Sequence, residues 1–148
     1  MSASVRSPLG TAAARRLAEA VLAAERADGV SLSIAFVGPA AIRRINREYL
    51  GHDRETDVVA FAMSAEESTT RSPRASVPRL VGDIYICPRV AARQAREYKV
   101  TVREELRRLV VHGALHVLGY DHADSAARTR GRMWRRQEEL LKLPEKRR

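Results

Sequence analysis

Three of the four histidines in this chain fall in one stretch, Val111-His112-Gly113-Ala114-Leu115-His116-Val117-Leu118-Gly119-Tyr120-Asp121-His122. His112 and His116 are four residues apart. On a helix they stand one turn above each other on the same face, with Cβ atoms about 5–6 Å apart. Gly119 can end that helix in a left-handed conformation. The chain can then reverse and carry His122 back toward the pair. Three neutral imidazoles converging on one point are the protein half of a catalytic zinc site whose fourth position is open to water. The pattern His-x3-His-x5-His, in a chain so poor in histidine, points to metal binding by His112, His116 and His122, and the ligand type fits Zn2+.

Zinc held this way lowers the pKa of a bound water to about 7 and supplies hydroxide at neutral pH. Each ligating imidazole donates its other N–H to an acceptor. Asp121, beside His122, is suited to that task and equally suited to bond the backbone of its own turn. The same histidine spacing occurs in metzincin proteases, which place a Glu general base directly after the first histidine. Here that position is Gly113, so a peptidase lacks its base. The remaining readings are a metal-dependent hydrolase of another bond and a non-catalytic RNA-binding factor with a structural metal. Structural zinc takes four protein ligands. His52 is the only other histidine, and no spacing argument links it to the three. No residue is assigned as general acid or base.

The elements that must position these histidines follow from periodicity. Thr101-Val-Arg-Glu104 matches a capping box, and the helix it opens runs to about Leu118. Leu106, Leu109, Val110, Gly113 and Val117 make one apolar stripe, with Val111, Leu115 and Leu118 nearly opposite. A helix apolar on two sides is buried and central. Before it, the pattern predicts a helix over 11–28 with Leu17, Ala20, Val21 and Ala24 inward, and a strand over 31–37. A helix over 40–50 follows, with Ile42, Ile45 and Tyr49 inward, then strands over 57–63 and 80–87. Gly82 inside the third strand marks a bulge or a close backbone approach. Pro88 opens a helix to Tyr98 carrying Val90, Ala91, Ala95 and Tyr98. A last helix, capped by Asp124 or Ser125, turns Met133, Trp134, Gln137, Leu140 and Leu141 inward. Residues 64–79 have no apolar period and read as a mobile flap, whose Arg71, Arg74 and Arg79 are equally suited to meet a phosphate backbone or to stand in solvent.

The bulk numbers bound the class. At 148 residues the chain reads as one domain, with 1–10 and 143–148 as loose ends. The fold class is α/β (α+β), a small mixed sheet packed with about five helices around the metal-bearing central one. Formal net charge is +9, nearly all of it Arg, since Lys99, Lys142 and Lys146 are the only lysines. Such a surface favours a polyanion, with RNA as the obvious class. Apolar runs fall far short of the roughly 20 residues that span a bilayer. The start lacks a signal-peptide pattern, and a single Cys87 forbids an internal disulfide. A cytoplasmic protein with no membrane partner is expected.

The stretch His112 to His122 resembles the signature of the bacterial YbeY family of endoribonucleases and rRNA maturation factors, His-Gly-x-Leu-His-x-x-Gly-Tyr-Asp-His. Thr56-Asp57-Val58-Val59-Ala60-Phe61 and Gly82-Asp83-Ile84 are similar to two further blocks of that family, and the likeness covers about residues 10–142. It implies a single-strand, metal-dependent endoribonuclease with His112, His116 and His122 as ligands. It also implies maturation of small-subunit rRNA at its 3′ end, ribosome quality control, and contacts with ribosomal proteins or an assembly GTPase. Two places depart from the pattern. The Arg that many members carry before Gly51 is Leu50 here, so its phosphate-binding role is not carried over, and Arg47 and Arg54 are the nearest substitutes. The family's Ser before Phe61 and Pro after it are Ala60 and Ala62.

Overall fold

The computed structural model describes residues 6–64, 79–120 and 126–142, with the side chains of 126–130 left aside. Its elements, in order, are α1 (Thr11–Ala24), β1 (Val30–Phe36) and α2 (Pro39–Ile45), which runs into a π-helical turn (Asn46–Leu50). Then come β2 (Val58–Ser64), β3 (Leu80–Ile86), α3 (Pro88–Tyr98), α4 (Val102–Val117) and α5 (Ala126–Leu141). The strands form a mixed sheet in the order β1-β3-β2. β1 runs parallel to β3, with Leu32 opposite Gly82. β2 runs antiparallel to β3, with Ala62 opposite Gly82. The five helices and small mixed sheet agree with the architecture read from the sequence.

Strand alternation sorts the core into two clusters. Leu32, Ile34 and Phe36 of β1, Val58 and Ala60 of β2, and Ile84 and Ile86 of β3 face α4 and α1. Ala35, Val59, Phe61 and Tyr85 point the other way and join Val37, Ile42, Cys87 and Val90 in a smaller cluster. Cys87 is buried there as a small apolar group. Between the first face and α4 the backbones come unusually close. A Cβ added at Gly82 would lie 2.5 Å from Val117 Cγ1, and one at Gly113 would lie 2.8 Å from Ile84 Cγ2. The register through Gly82 is unbroken, so this glycine serves close approach and not a bulge.

α4 is held from its first turn. Thr101 Oγ1 accepts from the Glu104 N–H at 3.0 Å, and Glu104 Oε1 accepts from the Thr101 N–H at 2.9 Å. These bonds hold the Glu104 carboxyl below its ordinary range. Leu106, Leu109, Val110, Val111, Leu115 and Val117 are all buried. Each Leu or Val contributes about 1.5–3 kcal/mol by leaving water. α4 is thus buried on both apolar sides, as its pattern requires.

Several expectations shift. α1 ends at Ala24, short of Asp28, and buries Ala14, Ala18 and Val21, so the stripe is rotated from the one read off the sequence. The loose start is not loose throughout, because Leu9 is 1% exposed and belongs to the main core. Tyr49 and Trp134, expected inward, are 62% and 56% exposed, and Tyr98, counted with the apolar residues of its helix, is 61% exposed. The π turn explains the first. It rotates the face by its extra residue, so Asn46 is buried instead and its Nδ2 donates to the Arg54 carbonyl at 3.1 Å. Tyr49 is left to stack on Phe61, ring centroids 4.7 Å apart. Tyr98 sits on the last residue of α3, where the core has already ended. Trp134 follows the buried Met133 and lies off the Met133–Gln137–Leu140 stripe. Residues 143–148 and the flap residues 65–78, with Arg71 and Arg74, lie outside the described residues. Arg79 donates to the Asp28 carbonyl at 2.9 Å and covers Gly29, so it anchors the turn into β1.

Candidate metal centre

His112 and His116 lie on the last two turns of α4, both half-buried. They follow Glu105 and Arg108 along the helix at spacings of three and four, so these polar residues form one stripe. That stripe meets α5. His112 Nδ1 lies 3.0 Å from Gln137 Oε1. Arg108 Nε is 3.3 Å from Glu138 Oε2, and the Arg108 guanidinium stands over the Trp134 ring at 5.7 Å. Glu105 is 3% exposed, with its Oε1 3.8 Å from Arg108 Nη1. Burial pushes its carboxyl up despite the neighbouring arginine.

The helix ends in the way its glycine suggests. Gly119 has φ 95°. Its N–H donates to the His116 carbonyl at 3.0 Å, and the Tyr120 N–H donates to the Leu115 carbonyl at 3.1 Å. This pair of bonds is a Schellman motif, which turns the chain out of the helix straight after the second histidine. Tyr120 then packs on the core and donates its hydroxyl to Glu25 Oε1. Arg136 Nε reaches Glu25 Oε2 at 2.6 Å. Burial, and next the Glu25 bond, push the Tyr120 phenol up. The ends of α1 and α4 are thereby tied to α5.

His122 and Asp121 lie outside the described residues, so the structure brings together two of the three predicted ligands, on one helix face. Among the described residues no group of three metal-binding side chains occurs. His52 is exposed in the turn after Leu50, its N–H donating to the Asn46 carbonyl at 3.2 Å. Of the arginines near Leu50, Arg47 Nη1 lies 3.7 Å from Asp53 and Arg54 is exposed. Asp83, on the sheet face away from α4, is pushed up by burial. A groove of about 620 Å3 between α1 and β1, lined by Arg15, Glu19, Ser31 and Ser33 among others, contains none of the candidate residues.

The donor chemistry fits a metal ion. Two imidazoles share one face at helical spacing, and the first has one ring nitrogen engaged by a buried amide, which leaves the other for a ligand. The position between them is closed to a catalytic carboxylate, because Gly113 faces Ile84 across the sheet interface. Gln137 is the residue whose part the sequence did not assign. Its signal was present, as the one polar residue on the otherwise apolar inward face of α5.

A model of the Endoribonuclease YbeY family matches residues 4–144. The chain belongs to this family. Endoribonuclease YbeY of Geobacter metallireducens is 38% identical over 141 residues, covering 95% of this chain and 91% of its own length. Its counterpart in Staphylococcus carnosus is 43% identical over 99 residues, 67% of this chain and 63% of that one. The solution structure of TM1509 from Thermotoga maritima, at 24% identity, matches with a TM-score of 0.58 over 95% of this chain and 87% of the other. That last likeness concerns the fold. Among the described residues no helix is long and apolar enough to cross a membrane.

Proposed function

We propose that this protein is a zinc-dependent, single-strand endoribonuclease of rRNA maturation, acting at the 3′ end of small-subunit rRNA and in ribosome quality control. Its RNA substrate would be presented by the small ribosomal subunit in the cytoplasm, with ribosomal proteins or an assembly GTPase as further partners. The observation that carries this reading is the pair His112 and His116 on one face of α4, in a chain of the Endoribonuclease YbeY family. His112, His116 and His122 would hold one Zn2+, and Asp121 remains the candidate acceptor for a histidine N–H. When bound, zinc supplies a water ionised near neutral pH. The chain's own part is to fix the imidazoles on a helix packed from both sides, and to end that helix sharply at Gly119. The net charge of +9 would hold the phosphate backbone by charge more than by sequence.

The test is metal analysis together with cleavage of a structured rRNA fragment by the wild type and by His116→Ala. The expected outcome is about one zinc per wild-type chain and cleavage that the substitution abolishes. Full cleavage by a metal-free variant would sink the proposal. A zinc-loaded wild type that binds the RNA and never cuts it would favour a non-catalytic assembly factor.

A further inference from the structure

We propose that Gln137 is the positioning residue of this metal site: it holds His112 in the tautomer that carries its proton on Nδ1, and so presents Nε2 to the ion. The inference rests on the metal reading above and extends it to a residue on another helix. It begins with a carboxylate. Glu138 Oε2 lies 3.3 Å from Gln137 Nε2, and an ionised carboxylate only accepts hydrogen bonds. The amide nitrogen of Gln137 must therefore face Glu138. That fixes the orientation of an amide whose two ends otherwise look alike. The carbonyl end, Oε1, is then the atom 3.0 Å from His112 Nδ1. A carbonyl oxygen only accepts as well, so Nδ1 must donate. A neutral imidazole has a single N–H. With the proton on Nδ1, the lone pair is on Nε2, the nitrogen left for a ligand.

The arrangement is held from behind. Glu138 is ion-paired with Arg108, whose Nε stands 3.3 Å from Oε2 without a hydrogen bond, and the Arg108 guanidinium lies 5.7 Å from the Trp134 ring centroid. Gln137 is only 2% exposed, so its amide cannot turn to water without leaving the core. A neutral amide also orients the ring without bringing a second negative charge beside Glu138. The hydrogen-bonded order therefore runs from Glu138 to Gln137 to the His112 ring.

The experiment uses the full chain labelled with 15N-histidine, as wild type, Gln137→Leu and Gln137→Glu. In the metal-free protein, above the usual imidazole pKa of about 6.5, long-range 1H–15N spectra report which ring nitrogen of His112 is protonated. The wild type is expected to carry the proton on Nδ1, and Gln137→Leu to move toward the Nε2–H form. Zinc affinity, read by competition with a chromogenic chelator, is expected to fall about 10–100-fold in Gln137→Leu, the usual effect of losing such a partner. Gln137→Glu keeps an acceptor for Nδ1–H and should restore most of the affinity that Gln137→Leu loses. A Gln137→Leu chain that unfolds cooperatively and binds zinc as tightly as the wild type overturns the proposal. Should that variant not fold, the wild type still decides: a His112 proton found on Nε2 overturns it equally. A wild type that binds no zinc at all, whatever its tautomer, removes the metal reading and the proposal with it. That outcome is distinct from a wild type that binds zinc without help from Gln137.

Discussion

The two sides of α4 solve opposite problems. Toward the sheet the helix carries Gly113 and Val117, set against Ile84 and Gly82 so closely that neither glycine has room for a methyl group. Toward α5 it carries Arg108 and His112, met by Trp134, Gln137 and Glu138, with Glu105 and His116 along the same polar stripe. The first side is specified by volume. It tolerates no added atom but makes no demand on polarity beyond its absence. The second is specified by which atoms donate and which accept, and an error of one proton there matters more than an error of one methyl. A helix fixed rigidly on its dry side can present imidazoles with little freedom on its polar side.

That contrast can be broken from either side. The largest effect is expected on the polar side. On the zinc-dependent chemistry proposed above, His116→Ala should lower RNA cleavage by roughly 100-fold or more, because metal assistance would be worth several kcal/mol of barrier; steady-state cleavage assays with the variant shown to be folded would measure it. Next comes the sheet side. Gly113→Ala should destabilise by about 1–3 kcal/mol through overpacking against Ile84, read as a lower urea midpoint. In an Ile84→Ala background, which lacks the Cγ2 atom that the new methyl meets, Gly113→Ala should cost less, and an undiminished cost would show that the contact is not the cause. At the base of the helix, Thr101→Ala should cost about 1 kcal/mol by removing half of the capping box. Smaller still, Trp134→Ala removes a partly exposed cation–π contact worth about 0.5–1 kcal/mol, and its effect should appear in stability.

Glu105 sharpens the comparison through pH. Burial raises its folded pKa above the unfolded value, which is about 4.3. The folded state then keeps a proton that the unfolded chain releases. This contribution to stability is fully present below about pH 4.3 and is lost as pH rises through the folded pKa. Urea midpoints measured across that range should decline less steeply in Glu105→Gln than in the wild type. Parallel profiles would show that another group sets the slope.

The sequence revealed these two sides unequally. The dry side of α4 was legible because apolar spacing repeats, whereas the glycine inside the third strand left a bulge and a close approach both open until the unbroken register decided it. The capping box and Gly119 were legible because each needs only a few neighbouring residues. The partner of His112 was not, because it comes from another helix, and a glutamine on an inward face carries no mark of what it bonds. Tyr49 was misplaced for a different reason. A π turn adds a residue to the helical period without any sequence flag, so every residue after Ile45 changes face. Trp134 was misplaced because size suggests burial, whereas its value here is a flat surface for Arg108.

The strand order has a kinetic consequence. Ser64 and Leu80, which pair across β2 and β3, are close along the chain, whereas Val30 pairs with the same Leu80 from the far side of α2 and β2. Closing the longer loop costs more entropy, so the antiparallel pair should form first and the parallel strand β1 should dock onto it later. Substitutions confined to the β2–β3 pairing should then slow refolding. Those in β1, such as Leu32→Ala, should mainly hasten unfolding. The helix that bears the histidines packs on both strands of the early pair, so its platform would exist before the sheet is complete.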